Sequence, residues 1–126
     1  MKIKDKIKPG FLILLVLIFL LGSFVIYQPG IKIIFRNESK EDFKELKVNI
    51  RGQEFEFFNL KSGGATKPIW VPGSYSYCFA KATTLKDTVI CQPIDYVGEK
   101  LYTSGKLVMN LVILPEEGGE RYLIIR

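Results

Sequence analysis

Hydrophobic and polar residues are arranged in two different ways along this chain, and the change occurs near residue 30. From Phe11 to Tyr27 almost every residue is Phe, Leu, Ile or Val, and no charged residue lies between Pro9 and Ile31. A continuous apolar run of this kind predicts a helix that is buried on all sides. After Gly30 the apolar residues come in short runs separated by Gly, Pro, Asn and charged residues, which is typical of strands and turns.

The apolar run has nearly the length that a bilayer requires. Its 17 residues would extend about 25 Å as a helix, and the uncharged flanks lengthen it, so we predict a transmembrane helix over residues 11–27. The predicted organisation is a basic cytoplasmic N-terminus over 1–10, this helix, a short tether over 28–30, and one domain over 31–126. Four lysines precede the helix, so the positive-inside rule predicts a single-pass protein of the cytoplasmic membrane with its domain outside.

The same segment has two alternative interpretations, a cleaved signal peptide and the first helix of a type IV prepilin. A cleaved signal peptide needs small residues before the cut, and Gly22-Ser23 with leucines upstream is a poor cleavage site. A type IV prepilin is similar in having a basic leader that ends in Gly10 before Phe11. However, Leu15 stands where that family carries Glu, and Pro29-Gly30 would stop the helix early.

The second part of the chain predicts a β-sandwich. Glycine-containing turns separate the apolar runs, and only residues 37–46 are polar enough to form a helical turn instead. We predict an all-β, antiparallel sandwich with an immunoglobulin-like or transthyretin-like layout. The predicted strands are residues 31–36, 43–51, 54–60, 65–71, 74–83, 87–94, 106–114 and 121–125.

The two cysteines test this prediction. If a hairpin folds about Thr84-Leu85, the paired positions have numbers that sum to 169, and Cys78 lies opposite Cys91. Directly opposed residues have Cβ atoms within about 5.5 Å, which permits a bridge. In an oxidising compartment we therefore predict a disulfide between Cys78 and Cys91. Without it, both would be small buried apolar residues.

Charge and composition exclude several classes of function. The net charge is +5, of which the first ten residues supply +3, and the remaining charges are dispersed. A nucleic-acid partner is therefore not expected, because phosphate binding needs a concentrated basic surface. The chain has no histidine, which removes the most common general base and metal ligand. We expect no catalytic residue, metal or cofactor.

Four residues are candidates for contact with a partner. Asp95, Tyr96 and Glu99 lie in a glycine-containing turn where carboxylates could bind a cation or an amine, although Asp in turns usually bonds its own backbone. Trp70 is the sole tryptophan and precedes a turn, so it either anchors a partner or closes the core.

A second pair of carboxylates, Glu54 and Glu56, is a candidate for acid-base chemistry. Glu54 and Glu56 lie two residues apart and alternate with phenylalanines in a predicted strand. Residues two apart in a strand share one face, so both carboxylates are expected on a solvated surface. No substrate cleft is expected beside them.

A short stretch carries a resemblance. The string PIDYVGE, followed by SGK, resembles segments of small uncharacterised bacterial cell-envelope proteins with a membrane anchor and a β-sandwich. The resemblance covers about a tenth of the chain and implies an envelope location, with no activity to carry over. We therefore expect a binding or assembly module for another envelope protein; a pilin-like subunit, or a small hydrolase using Asp95 and Glu99, is the alternative.

Overall fold

The structure is a computed structural model that describes residues 8–26, 30–93, 98–115 and 118–126, with the side chains of α1 described up to Leu21. One helix precedes eight strands. They are α1 (Pro9–Ile26), β1 (Ile31–Asn37), β2 (Phe43–Ile50), β3 (Gln53–Leu60), β4 (Ile69–Val71), β5 (Phe79–Thr83), β6 (Thr88–Cys91), β7 (Lys106–Leu114) and β8 (Tyr122–Ile125).

The transmembrane helix predicted over residues 11–27 has to be corrected. Within the described residues, no helix reaches the combination of length and apolarity needed to cross a membrane. The apolar run forms α1, which has 18 residues and therefore extends about 27 Å, whereas a bilayer core is about 30 Å thick. Most of the predicted tether, residues 28 and 29, and the N-terminus up to residue 7 lie outside the described residues.

The β-rich part of the fold prediction is confirmed, and all eight predicted strands are present. Alternation explains why they form: in β1, Ile31, Ile33 and Phe35 are buried while the residues between them are more exposed. Three strands are clearly shorter than predicted, and one of them is β6, which ends at Cys91 although the prediction extended to residue 94. β4 begins only after Pro68, since proline lacks the N–H that a strand interior needs, and β5 begins at Phe79 instead of residue 74.

The strands form two sheets of four. Sheet I has the order β4-β1-β7-β8, and sheet II has the order β3-β2-β5-β6. The immunoglobulin arrangement, with its first strand beside its second, does not match this order. The sandwich is also not purely antiparallel, because β1 pairs with β7 in parallel.

The inner faces of the two sheets form one core. Phe35 of sheet I meets Phe57 of sheet II with ring centroids 5.7 Å apart. Leu46, Met109, Leu111 and other inward residues fill the space around them and are almost completely buried. Burial of each such side chain contributes about 1.5 to 3 kcal/mol, so this core is the main source of stability.

Strand directions place alternate loops at the same end of the sandwich. Because β1, β3, β5 and β7 all run toward one end, the loops that follow them gather there. We call this the distal end; it comprises residues 38–42, 61–68, 84–87 and 115–121, of which 116 and 117 are not described. β1 begins at the opposite end.

The predicted disulfide is wrong. Both thiols are free, and β5 and β6 pair Ala80 with Cys91, so paired positions sum to 171 instead of 169. The reason is the turn: Thr84 accepts hydrogen bonds from the amides of Lys86 and Asp87, which closes a four-residue loop centred one residue later than predicted. Cys78 therefore lies before β5 and is not opposite Cys91.

Candidate functional site

The structure describes two of the four residues predicted to contact a partner. Trp70 is 50% exposed on β4, and Glu99 is exposed beyond Gly98. Asp95 and Tyr96 lie outside the described residues, so their proposed pairing with Glu99 is not tested. Glu54 and Glu56 are exposed on β3, as expected of a solvated strand face.

Trp70 belongs to a larger surface, the outer face of sheet I. Its partner in β1 is Lys32, and the register of the sheet places the other outward residues beside them. Together with Trp70 they are Lys32, Ile34, Arg36, Lys106, Val108, Asn110, Val112, Leu114, Tyr122 and Ile124. We call these eleven residues the sheet I face.

Apolar side chains make up the middle of the sheet I face. Ile34 of β1 is aligned with Val108 of β7, and Val112 is aligned with Ile124 of β8. Trp70 at 50%, Tyr122 at 49% and Val108 at 38% are among the most exposed large apolar residues of the sandwich. Trp70, Ile34 and Val108 lie within two strands of one another, whereas Tyr122 lies beside Leu114 at the other end of β7 and Val112 is buried. Grouped apolar residues on a sheet surface are typical of a contact site, whereas single exposed apolar residues are not.

Charges on the sheet I face have one sign. Lys32 and Lys106 are aligned in neighbouring strands, and Arg36 follows on β1; no acidic residue belongs to this face. Like charges placed opposite each other in a sheet are unfavourable by about 0.2 to 1 kcal/mol. Within the described parts of the chain, none of these three cations forms an ion pair.

The outer face of sheet II provides a contrast within the same molecule. There Lys47 lies 3.4 Å from Glu45 and 3.6 Å from Glu56, measured from its Nζ to the nearest carboxylate oxygen. These contacts raise the pKa of Lys47, with the hydrogen bond to Glu45 as the main cause. Charge on this face is therefore balanced locally, and it carries fewer apolar residues.

One polar atom of the sheet I face lacks a partner. Asn110 lies beside Arg36 in the register of β1 and β7, and its Oδ1 is buried without a hydrogen-bond partner among the described residues. A buried acceptor left unpaired costs about 1 to 3 kcal/mol, so natural proteins seldom contain one without a reason. This atom lies next to the apolar centre of the face.

The distal end contains a different arrangement, an ion cluster centred on Arg121. Its Nη1 and Nη2 donate to the two oxygens of Glu41 at 2.6 and 3.0 Å, and Nη2 also donates to Asp87 Oδ1 at 2.9 Å. The hydrogen bond from Arg121 lowers the pKa of Glu41, although burial opposes this. The same pair raises the pKa of Arg121, so Glu41 and Arg121 remain charged and bound to each other.

Asn37 fixes the neighbouring loop. Its buried side chain donates to the carbonyls of Glu41 and Leu60 at 2.8 and 3.1 Å and accepts from the backbone N–H and the hydroxyl of Ser39. Nearby, Asp42 accepts from the amide of Ser62 at 2.9 Å. These bonds join the β1–β2 and β3–β4 loops, so the distal end is held in one conformation.

The two cysteine thiols of the sandwich are buried or half-buried. Burial raises the pKa of the Cys78 thiol to about 12, with a smaller effect of Cys91, and burial also raises the pKa of Cys91. A thiol of this kind is a poor nucleophile near neutral pH. Among the described residues, no group of three or more acidic, cysteine or histidine side chains could hold a metal ion.

Comparisons with known proteins give information on the fold alone. No family model matches the sequence, and no curated protein matches it significantly. An NMR structure of a protein from Eubacterium rectale is similar, with a TM-score of 0.55 and 15% sequence identity over 76% of this chain and 87% of that one. At this identity the similarity supports the sandwich architecture.

The sequence predicted Trp70 as a candidate contact residue, but it did not predict the cations that share its face. Lys32 and Arg36 follow closely after the apolar segment, and Lys106 lies at least seventy positions further along the chain. Alternation within β1 and within β7 was visible and could have assigned each cation to an outward face. Their common face could not be found, because it depends on the parallel pairing of β1 with β7.

Proposed function

We propose that the sandwich is a protein-binding or assembly module without catalytic activity, and that it binds its partner through the sheet I face. The observation that carries the proposal is that the half-exposed Trp70 of β4 and the exposed Val108 of β7 lie on the same face of one sheet, on either side of β1. Tryptophan is strongly enriched among residues that dominate binding energy, because it buries a large area with little loss of conformational entropy.

The alternatives receive less support from the described residues. A hydrolase using Asp95 and Glu99 would need a carboxyl group held in a protected site, but Glu99 is exposed. The partly buried carboxylates Glu41 and Glu45 are bound to Arg121 and Lys47, respectively. Such pairs neutralise the charge of the carboxylate, whereas general acid catalysis needs a carboxyl group with a raised pKa.

The envelope location is proposed on the resemblance of the PIDYVGE segment. A fusion of alkaline phosphatase to the C-terminus of the full chain tests this, because the enzyme is active only outside the cytoplasm. Activity of the fusion in intact cells supports the location. A fusion protein that is produced but inactive contradicts it, without affecting the proposal about the binding surface.

Site-directed photo-crosslinking tests the binding surface. Benzoylphenylalanine replaces Trp70 or Val108 in one set of full-length proteins and Phe58 or Ile90 in a matched control set. The control residues are also exposed, at 63% and 45%, but lie on sheet II. We expect ultraviolet irradiation of producing cells to give one discrete protein adduct from positions 70 and 108, because only a specific partner covers both.

Binding measurements with the crosslinked protein complete the test. Trp70→Ala should weaken its affinity about thirtyfold, which corresponds to the roughly 2 kcal/mol of a dominant interface residue, and Phe58→Ala should leave it unchanged. Equal adducts from both sets of positions, or none from positions 70 and 108, would contradict the proposal.

A further inference from the structure

We propose that the partner presents an acidic surface with an apolar centre to the sheet I face; this inference rests on the proposed binding function. Lys32, Arg36 and Lys106 form no ion pair with a described residue, and no acidic residue shares their face. An interface that covers them must supply the opposite charge, because cations buried without a partner are strongly unfavourable.

The spacing of the cations defines the pattern that a partner must match. Lys32 and Lys106 are aligned in adjacent strands, so their backbones lie about 4.8 Å apart. Arg36 is four residues further along β1, at about 13 Å. Ile34 and Val108 lie between the two lysines and Arg36. The matching surface therefore has carboxylates opposite the lysine pair, a further carboxylate about 13 Å away opposite Arg36, and apolar side chains between them.

A second copy of this chain does not fit this requirement. In a symmetric dimer through the sheet I face, each copy would bring the same three cations to the interface and no carboxylate. Repulsion between the two sets would oppose association.

The partner is a protein and not a nucleic acid. Ile34 and Val108 lie between the cations and Trp70 lies beside Lys32, so apolar residues interrupt the positive charge, whereas binding to phosphates needs a continuous basic surface. Depletion of charge at the centre, an aromatic anchor and charged residues around them are the general composition of protein interfaces. Charge at the edge of such an interface mainly accelerates association and selects the partner.

Charge reversal tests the inference with the adduct from position 70 as the readout. The double variant Lys32→Glu, Arg36→Glu and the milder Lys106→Gln are compared with Lys81→Glu, which changes a cation on the outer face of sheet II. We expect the yield of the adduct to fall about tenfold or more in the double variant, because steering by charge alters association rates by that order. Lys106→Gln should give a smaller decrease, and Lys81→Glu none.

Salt concentration tests the same charges without any substitution of the cations. Between about 0.1 M and 1 M salt the screening length falls from about 10 Å to about 3 Å, so the yield of the adduct from position 70 should decrease strongly. Carbodiimide, which joins a lysine amine directly to a carboxylate, should then link Lys32 or Lys106 to Asp or Glu of the same partner. Mass spectrometry of the linked peptides identifies those residues.

Each outcome separates the two proposals. Adducts from position 70 that are insensitive to charge reversal and salt would overturn the acidic partner and leave the binding surface intact. Absence of adducts from positions 70 and 108 would overturn both. Adducts to lipid or nucleic acid instead of protein would overturn the inference as well. Circular dichroism of every variant establishes that a loss of yield does not come from unfolding.

Discussion

Arg121 and Glu41 form a bidentate ion pair across 80 positions of sequence, with Nη1–Oε2 and Nη2–Oε1 distances of 2.6 and 3.0 Å. The pair joins the loop before β8 to the loop after β1, and Asp87 extends it to the β5–β6 turn. Three of the four distal loops are thus held by one guanidinium group. Planar, paired hydrogen bonds of this type are about twice as strong as neutral ones.

Removal of the negative charge in this pair should destabilise the domain in a pH-dependent way. Glu41→Gln is expected to lower the free energy of unfolding at pH 7 by about 1 to 2 kcal/mol, because both charged side chains are only partly exposed. The pKa of Glu41 is lowered in the folded protein. Its stabilising effect is therefore complete above the unfolded pKa of about 4.3 and disappears as the pH falls through the lower folded pKa.

Urea denaturation at pH 7 and at pH 3 checks this dependence. The difference between the wild-type protein and Glu41→Gln should shrink at the lower pH. Glu54→Gln, a change at an exposed residue of β3, serves as the control and should alter stability by less than about 0.5 kcal/mol. If Glu41→Gln lowers the free energy of unfolding by the same amount at both pH values, the effect does not come from the ion pair.

Asn37 should be the most sensitive polar residue of the distal end. Asn37→Ala leaves the buried carbonyl of Leu60 and the hydroxyl of Ser39 without their partner, so we expect a loss of about 2 to 4 kcal/mol. Ser39→Ala removes fewer bonds and should cost about half as much. Chemical denaturation ranks the variants, with exposed Ser104→Ala as the control; equal losses for Asn37→Ala and Ser39→Ala would exclude this network.

Gly30 should tolerate substitution less than Gly52. Gly30 has a φ of +140°, and an added Cβ would lie 2.3 Å from the carbonyl oxygen of Val71. Gly52 has a φ of +93° but open space around it. We therefore expect Gly52→Ala to cost about 1 to 2 kcal/mol through backbone strain alone, and Gly30→Ala to cost about 3 kcal/mol or more. Melting temperatures check this order; similar melting temperatures would mean that the β1–β4 contact can relax.

The two thiols should differ in reactivity. Cys78 is 2% exposed with its pKa raised to about 12, whereas Cys91 is only half-buried. Iodoacetamide at pH 8 should therefore modify Cys91 first and Cys78 only after unfolding, as peptide mass spectrometry would show. Protein that takes up no label even when unfolded under non-reducing conditions would instead contain a disulfide.

The same raised pKa predicts a loss of stability in alkali. The unfolded thiol ionises near pH 8.5, while the folded Cys78 thiol keeps its proton up to about pH 12. The stabilising effect of the buried neutral thiol is therefore complete below the unfolded pKa and is lost as the pH rises toward the folded pKa. Cys78→Ala should remove this part of the alkaline dependence, and an unchanged dependence in that variant would exclude Cys78 as its source.

Local pattern was sufficient to predict the strands. Residues 106–114 were predicted with the bounds that β7 has, because alternation and flanking turn residues are properties of neighbouring positions. The exposure of Glu54 and Glu56 opposite Phe55 and Phe57 followed from the same alternation. Trp70 was recognised as a candidate, but its two alternatives, anchor or core, could not be separated from sequence.

The hairpin register shows where local reasoning failed. Thr84 accepts bonds from two amides of the turn, and Asp87 in the same turn is bound by Arg121, which is 34 positions away. The sequence contains these residues but not their proximity. A hairpin centre shifted by one residue changes the sum of paired positions by two, so the predicted bridge between Cys78 and Cys91 was lost.

The sequence by itself determined the existence of eight strands and of the apolar N-terminal helix, because these depend on the pattern of neighbouring side chains and on turn chemistry. Only the tertiary structure decided that β1 lies parallel to β7, that Lys32, Arg36 and Lys106 share a face with Trp70, and that Arg121 meets Glu41. These relationships join distant segments through the common hydrophobic core, and no local pattern in a single chain specifies which segments will meet there.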